Sequence, residues 1–268
     1  GDLVLGDGGD VFDFAGGVDG TGVGGETFLN GTVNSPLDIL FADVTLSQPT
    51  TLATAGGDLT VGDVTGSGND LTLNTNLGGI LVGSVVDVGI LEIETDGTVT
   101  VTGAVGSDAD PLTTLRLVQS GGAAFAGSVD AATVELVDTA DGAAIRFLDD
   151  LSATSLTVGS DPFDVALAGG GAITDPVSFD NQGSTTLGDD GDDQLLFSGG
   201  VTATAAAEAA GDAVFVGGTV EVVGTSAMVL GADPMTRGTT GPVTLLANTT
   251  LKSAAGDITL AAVSDGDD

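Results

Sequence analysis

Between Leu59 and Val105 the chain reads LTVGDV, LTLNTN, ILVGSV, LEIETD and VTVTGAV. In each piece apolar and polar residues alternate, the two-residue period of a strand with one face inward. Gly, Asn or Asp closes each piece, the residues that permit tight bends. Two kinds of strand take turns. One ends in a small-polar corner and a valine (Val61-Gly62-Asp63-Val64, Val82-Gly83-Ser84-Val85). The other runs into a plainer polar turn (Leu73-Asn74-Thr75-Asn76, Ile93-Glu94-Thr95-Asp96).

The central apolar residues of the first kind are Phe41, Val61, Val82, Val101, Phe125, Phe147 and Leu167. Those of the second are Leu52, Leu73, Ile93, Leu117, Leu136, Val158 and Phe179. Both series advance by 19 to 24 residues. A fixed period of this size marks stacked supersecondary units. The pattern predicts an all-β chain, a right-handed parallel β-helix (β-solenoid) with rungs of about 20 residues and about nine rungs. The expected interior is dry and aliphatic, built of Val, Leu, Ile and Phe. Threonines such as Thr60, Thr72, Thr100, Thr157, Thr244 and Thr259 are expected outside. Val64, Val85 and Val105 follow the Gly or Asp corner and are expected to turn back into the core. No long helix is predicted. Ala203–Ala210 (ATAAAEAA) reads as a loop with partial helix.

A longer repeat overlies the rungs. Leu5-Gly6-Asp7-Gly8-Gly9-Asp10 recurs as Leu187-Gly188-Asp189-Asp190-Gly191-Asp192, and Thr50-Thr51-Leu52 recurs as Thr249-Thr250-Leu251. The offset is 182 residues from Leu5 to Leu187 and 199 from Leu52 to Leu251, so an insertion is expected, and the Ala203–Ala210 stretch can supply it. The expected organisation is one continuous solenoid over residues 1–268, an excerpt of a tandem array. Its large repeat covers about 1–185 and a partial second copy about 186–268. Gly1 is preceded by neither an initiator Met nor a signal segment, which fits a processed form or an excerpt.

Charge narrows the function classes. The 268 residues hold 39 acidic and 4 basic side chains, a formal net charge of -35. Arg116, Arg146, Arg237 and Lys252 are scattered, so the basic footprint that phosphate needs is missing, and neither nucleic acid nor an anionic membrane surface is an expected partner. Such a surface attracts cations instead, and salt relieves its self-repulsion. Adaptation to a salty medium is the plainer account of the same acidity. No run reaches the length of a membrane span. Cys, His, Trp and Tyr are absent. Without His or Cys there is no Ser/His or Cys/His nucleophile system. Carboxylate pairs leave a β-helix carbohydrate-active enzyme as the last-ranked alternative, because the basic and aromatic residues that support such a site are scarce, and no catalytic residue is assigned. Single threonines per rung do not make an ice-binding array.

The Asp-dense turns are the candidate sites. Asp7, Asp10 and Asp13 lie in one Gly-rich segment, and Asp189, Asp190, Asp192 and Asp193 in its second copy. Calcium takes six to eight oxygens from carboxylates and carbonyls, and Gly-rich loops let carbonyls converge. Calcium is therefore the one candidate cofactor, set against plain solvated corners, and the alternative reading it supports is a calcium-dependent surface-layer or matrix adhesin whose acidic corners divalent ions crosslink. Asp265-Gly266-Asp267-Asp268 is a further candidate. Asn30-Gly31-Thr32 and Asn248-Thr249-Thr250 fit the glycosylation acceptor pattern.

The runs GDLTVGDVTGSGNDLTLNTN and GTVTVTGAVGS resemble the filamentous-haemagglutinin and autotransporter-adhesin type of secreted β-helix repeat protein. The likeness covers most of the chain, Ile39 to Phe179 best. It implies a right-handed parallel β-helix in an extracellular or cell-surface fibre. The fibre's role is adhesion, matrix or coating. The expected partners are further copies joined end to end through unpaired strand edges, a host or cell-surface glycan, or a neighbouring fibre.

Overall fold

The computed structural model describes residues 1–203, 213–223, 225, 227–231, 243–246 and 248–265. Among them every regular element is a strand, and every strand pairing is parallel. The strands stack as a β-solenoid of about 11 turns at a spacing of about 21 residues. The chain divides into two compact units, Gly1–Glu135 and Leu136–Asp268.

In the first unit, short strands form one sheet: Val18–Asp19, Ile39–Phe41, Leu59–Val61, Ile80–Val82, Val99–Val101 and Ala123–Phe125. Long strands form the other: Thr27–Ser35, Val44–Thr54, Val64–Thr75, Val85–Thr95 and Leu112–Gln119. Each of the first four long strands bends midway. Register shifts fall at Leu29/Gly31, Thr45/Thr50 and Val86/Val88. At the bends Gly31, Ser67, Gly68 and Asp87 take left-handed φ of +99°, +53°, +77° and +54°. One long strand therefore serves two faces. A coil has three faces, where the alternation alone suggested two strands. The third face begins with the column Val44, Val64, Val85, Val105 and Val129, all buried and all in register. These valines do turn back into the core, Val44, Val64, Val85 and Val129 as the start of a strand and Val105 as a single bridge residue between them.

In the second unit the three faces are separate sheets. One holds Ala144–Phe147, Asp164–Leu167, Thr185–Leu187, Val214–Val216, Val243–Leu245 and Val263–Asp265. A second holds Leu151–Val158, Gly171–Ile173, Gln194–Phe197, Thr219–Val222 and Thr250–Ser253. The third holds Val177–Phe179, Val201–Ala203, Met228–Leu230 and Ile258–Leu260. Thr185 pairs with Val214 and Val214 with Val243, two successive steps of 29 residues. The lengthening seen in the long repeat is thus shared by two coils. Ala203 ends the strand Val201–Ala203, while residues 204–210, read above as loop and partial helix, lie outside the described residues.

The predicted columns are the core. Phe41, Val61, Val82, Val101 and Phe125 are in register and at most 2% exposed, and Leu52, Leu73, Ile93 and Leu117 are equally buried. The interior is not purely aliphatic, however. Ser35, Thr54, Thr75, Thr95 and Ser120 are buried at one corner of successive coils. The Thr95 hydroxyl donates to the Gly78 carbonyl at 2.7 Å, and the Thr75 hydroxyl lies against the same carbonyl and 2.7 Å from Thr95 Oγ1. Ser35 donates to Gly16 O at 2.8 Å, and Gly97 N–H donates to Thr95 Oγ1 at 2.8 Å. This column satisfies backbone groups that the corner takes out of the strand ladder, groups that are costly to bury unpaired.

The outer corners solve the same problem with aspartate. Asp38 Oδ1 accepts the N–H of Asp58 at 2.9 Å, and Asp58 Oδ1 accepts that of Gly79 at 2.8 Å. Asp43 serves Asp63 at 2.9 Å, and Asp63 serves both N–H and hydroxyl of Ser84 at 2.8 Å. Asp2, Asp70 and Asp164 do the same for Glu26, Ile90 and Ser184. Each carboxylate reaches one coil along the chain and clamps the next corner. The residue before the clamped N–H is regularly Gly. A Cβ on Gly83 would fall 2.6 Å from Asp63 Oδ1 and 2.8 Å from the Gly62 carbonyl carbon, inside contact distance. The Gly-Asp pairs of the sequence are therefore mechanical: Gly leaves room for the clamp from one side, and Asp extends the next.

The backbone and hydroxyl hydrogen bonds from Ser84 hold the Asp63 carboxyl below its ordinary value of 3.8. Hydrogen bonds from Thr21, side chain then backbone, do the same for Asp19. A pKa lower in the folded than in the unfolded chain gives stability that is complete above pH ~4 and is lost as pH falls through the folded value. Asp63→Ala is expected to lower stability by roughly 1 kcal/mol, less than the ~1.5–3 kcal/mol of a charged acceptor because the site is exposed. Asp63→Asn, which keeps the acceptor oxygen, is expected to retain most of it and to lose its acid sensitivity. Thermal melts of the three proteins at pH 7 and pH 3 check this. Equal melts for Asn and Ala at pH 7 would remove the clamp from the account.

Candidate functional site

The acidic turn after Thr185–Leu187 is the one place among the described residues where three metal-ligating side chains converge. Single carboxylate oxygens of Asp189, Asp190 and Asp193 all lie within 4.8 Å of one another. The turn builds itself. Gly188, at φ +73°, reverses the chain after the strand. Asp193 Oδ2 then accepts the N–H groups of Asp189 at 2.8 Å and Asp190 at 2.9 Å. Asp190 Oδ1 accepts the Asp192 N–H at 2.7 Å. Thr219 N–H donates to the Asp193 carbonyl at 2.8 Å and ties the turn to the next coil.

These contacts decide what the turn can offer. Asp193 Oδ2 is engaged by two backbone donors, so its Oδ1 is the oxygen free for a ligand. Asp192 stands outside the converging group. Partial burial and the neighbouring carboxylates of Asp193 and Asp190 push the Asp189 carboxyl above its ordinary range. Three carboxylates supply about half of the oxygens a calcium ion takes, the rest being carbonyls or water.

The first copy is built differently. Gly6, at φ +86°, reverses the chain after Leu3–Leu5, and Asp10 Oδ2 accepts the Asp7 N–H at 3.1 Å. The local turn thus repeats. But Asp13 lies on the strand Val11–Asp13 and not in the turn, where it accepts the Asn34 side-chain N–H at 2.8 Å. Asp7, Asp10 and Asp13 do not converge as the second copy does, because Gly8 stands where the later turn has Asp190 and Val11 where it has Asp193. Of the C-terminal candidates, Asp265 ends the strand Val263–Asp265, and Asp267 and Asp268 lie outside the described residues.

The converging turn borders an open groove of about 710 Å³. Asp149, Asp150, Asp190, Asp192 and Asp193 line it, over an apolar part formed by Leu148 and Leu196. The alternation gave no sign of this groove. Asp149-Asp150 and Asp190–Asp193 are forty residues apart and meet only because coils stack.

Two of the basic side chains, Arg116 and Lys252, are held in ion pairs. Arg116 sits between Glu92 at 3.2 Å and Glu135 at 3.3 Å, and Lys252 lies 3.5 Å from Glu221. Of the acceptor asparagines, Asn248 is exposed, whereas Asn30 is 7% exposed and donates its amide N–H to Gly6 O at 2.8 Å. That amide is held inside the corner and is not presented for modification. Among the described residues no helix is long and apolar enough to cross a membrane. Comparison with protein-family models, curated proteins and solved structures found no match for the chain.

Because the folded pKa of Asp189 is raised, its ionised form opposes folding, and that cost is present above the folded pKa and relieved below it. Asp189→Asn is therefore expected to raise the melting temperature at pH 7 in chelator and to change it little at pH 3. A melt at pH 7 lower than that of the parent would show that the charge is held favourably.

Proposed function

We propose that the chain is a structural, non-catalytic segment of an extracellular or cell-surface fibre, extended by continuation of the β-solenoid from coil to coil. The observation that carries this reading is the set of open ladders. Among the described residues, Leu3–Leu5, Val11–Asp13 and Val18–Asp19 of the first unit are each paired on one edge only. In the second the same holds for Thr250–Ser253, Ile258–Leu260 and Val263–Asp265. Val4, Val11, Ile258, Leu260 and Val263 in these coils are 40–61% exposed. Unpaired edges with apolar side chains are templates for another strand. A further coil of the same kind, from a longer chain or from another copy, fits them. An adhesin of the filamentous-haemagglutinin sort is the fibre type that the sequence pattern favours.

Electron microscopy and concentration-dependent scattering test this. Rods that lengthen with concentration are expected, and Val11→Lys with Ile258→Lys is expected to stop the lengthening by placing charge on the edges. Monomers of one length at every concentration would end the proposal of end-to-end continuation.

The convergence of Asp189, Asp190 and Asp193 favours a second reading, a fibre whose acidic turn is closed by calcium. Calcium is expected to raise the melting temperature and a chelator to reverse the rise. In Asp190→Asn the rise is expected to be lost. An unchanged melt on calcium addition removes calcium from the account.

A further inference from the structure

One corner of the first unit carries a groove of about 390 Å³, and its origin is one small residue. The outward column at this corner reads Asp13, Asn34, Ala53, Asn74 and Glu94, in register from coil to coil. Val33 and Ser35, and Leu52 and Thr54, are buried on either side of it, so the column faces solvent. Its polar groups pair away from Ala53 in both directions. Asn34 donates a side-chain N–H back to Asp13 Oδ1 at 2.8 Å, and Asn74 donates forward to Glu94 Oε2 at 2.8 Å. The methyl group of Ala53 takes part in neither pair, and the column parts there. Phe14, Pro36 and Ala55 line the resulting notch together with Ala53, while Asp13 and Asn34 supply polar lining. Backbone bonds hold the walls in place. Phe14 N–H donates to Asn34 O at 2.9 Å, and Ala55 N–H donates to Ser35 O at 3.0 Å.

We propose that this groove binds a quaternary ammonium group, a trimethylammonium of the kind that choline carries. Sign is the first ground. The chain has no lysine or arginine before Arg116, so the side chains around the groove are acidic or neutral. A cleft with charge of one sign concentrates the opposite ion and turns anions away. Within the lining, Asp13 brings a carboxylate. Its Oδ1 is taken by Asn34, so Oδ2 is the oxygen offered to a cation.

The walls narrow the class of cation. Phe14, Pro36, Ala53 and Ala55 give no side-chain oxygen. They cannot replace the six to eight oxygens that a calcium ion takes. Nor can they satisfy the three N–H donors of a primary ammonium. A nitrogen wrapped in methyl groups needs neither, and its methyls meet apolar walls at little cost. Phe14 is half-buried and adds an aromatic ring, which attracts a cation placed over its face. The volume lies near the lower end for small-molecule sites, which suits a headgroup and not a large ligand. The groove is complete within one copy, so the proposal does not rest on end-to-end continuation of the fibre.

Nuclear magnetic resonance titration of the full chain with choline chloride tests it, with 3,3-dimethylbutan-1-ol as the uncharged molecule of the same shape. Millimolar binding of choline is expected, with methyl shifts concentrated at Ala53 and Ala55. The neutral alcohol is expected to bind about tenfold more weakly. Asp13→Asn is expected to bring choline down to the level of the alcohol. Phe14→Leu, which keeps the wall apolar, is expected to weaken choline by about threefold to fivefold, the size of an exposed cation–ring contact. Ala53→Asn places in the notch the residue that the next coil carries, and is expected to weaken choline by about tenfold or more. This variant leaves every charge in place, so its loss cannot come from the general field, and an unchanged thermal melt shows that its fold is kept. The proposal is overturned by absence of shifts at Ala53 and Ala55, by shifts spread evenly over the acidic corners, by equal binding of choline and the alcohol, or by binding that Asp13→Asn and Ala53→Asn both leave intact.

Discussion

A parallel stack of coils must find a partner for every backbone N–H and C=O at its corners, where the chain leaves the strand ladder. Much of this chain's chemistry follows from that demand. Along the straight stretches the ladder of each coil is met by the next. At the outer corners it is not, and there the carboxylates of Asp38, Asp43, Asp58, Asp63, Asp70 and Asp164 accept N–H groups one coil further on. At an inner corner the hydroxyls of Thr54, Thr75 and Thr95 take up carbonyls such as Gly78 O. Glycine precedes the clamped donors because a side chain there would strike the clamp. An abundance of Gly and Asp that looks like low complexity is in good part the hardware of turning.

This use of aspartate places like charges above one another. Asp38 and Asp58 are successive members of one clamp line, and Asp43 and Asp63 of another. Each has an oxygen tied to a donor one coil on, and at Asp63 the N–H and hydroxyl of Ser84 favour the charged form. The balance fails where donors run short. In the turn at Asp189–Asp193, the side chain of Asp193 serves two donors while Asp189 is partly buried and crowded by the charges of Asp193 and Asp190, and its carboxyl is pushed up. The same acidic side chain is thus structural at most corners and a candidate ligand at one. The difference lies in how many donors the local backbone supplies.

Acidity also shapes where the chain can touch anything. Clamped corners and outward glutamates spread negative charge over several faces. The outward line Leu81, Thr100 and Ala124 carries no charge, because glycine, serine and threonine stand at its corners.

The alternation from Leu59 to Val105 was enough to determine an all-β solenoid, its coil length, and the core columns of Phe41 and Leu52. Period and burial are local consequences of which residues alternate. The turn at Leu187-Gly188-Asp189 was also legible, since a repeated tripeptide with glycine at a left-handed position folds alike in both copies. Three things were decided only by stacking. The third face arises because a strand such as Val64–Thr75 bends at Ser67 and Gly68, and a bend leaves no mark in a two-residue period. The buried hydroxyls were taken for surface, because threonine suits either side of a strand and only its partner one coil away shows which. The convergence of Asp189, Asp190 and Asp193 without Asp192, and without a counterpart at Asp7, Asp10 and Asp13, depends on which side chains the backbone donors claim. Residues about 20 or 40 positions apart meet in such a fold, and no local pattern encodes the hydrogen bond between them.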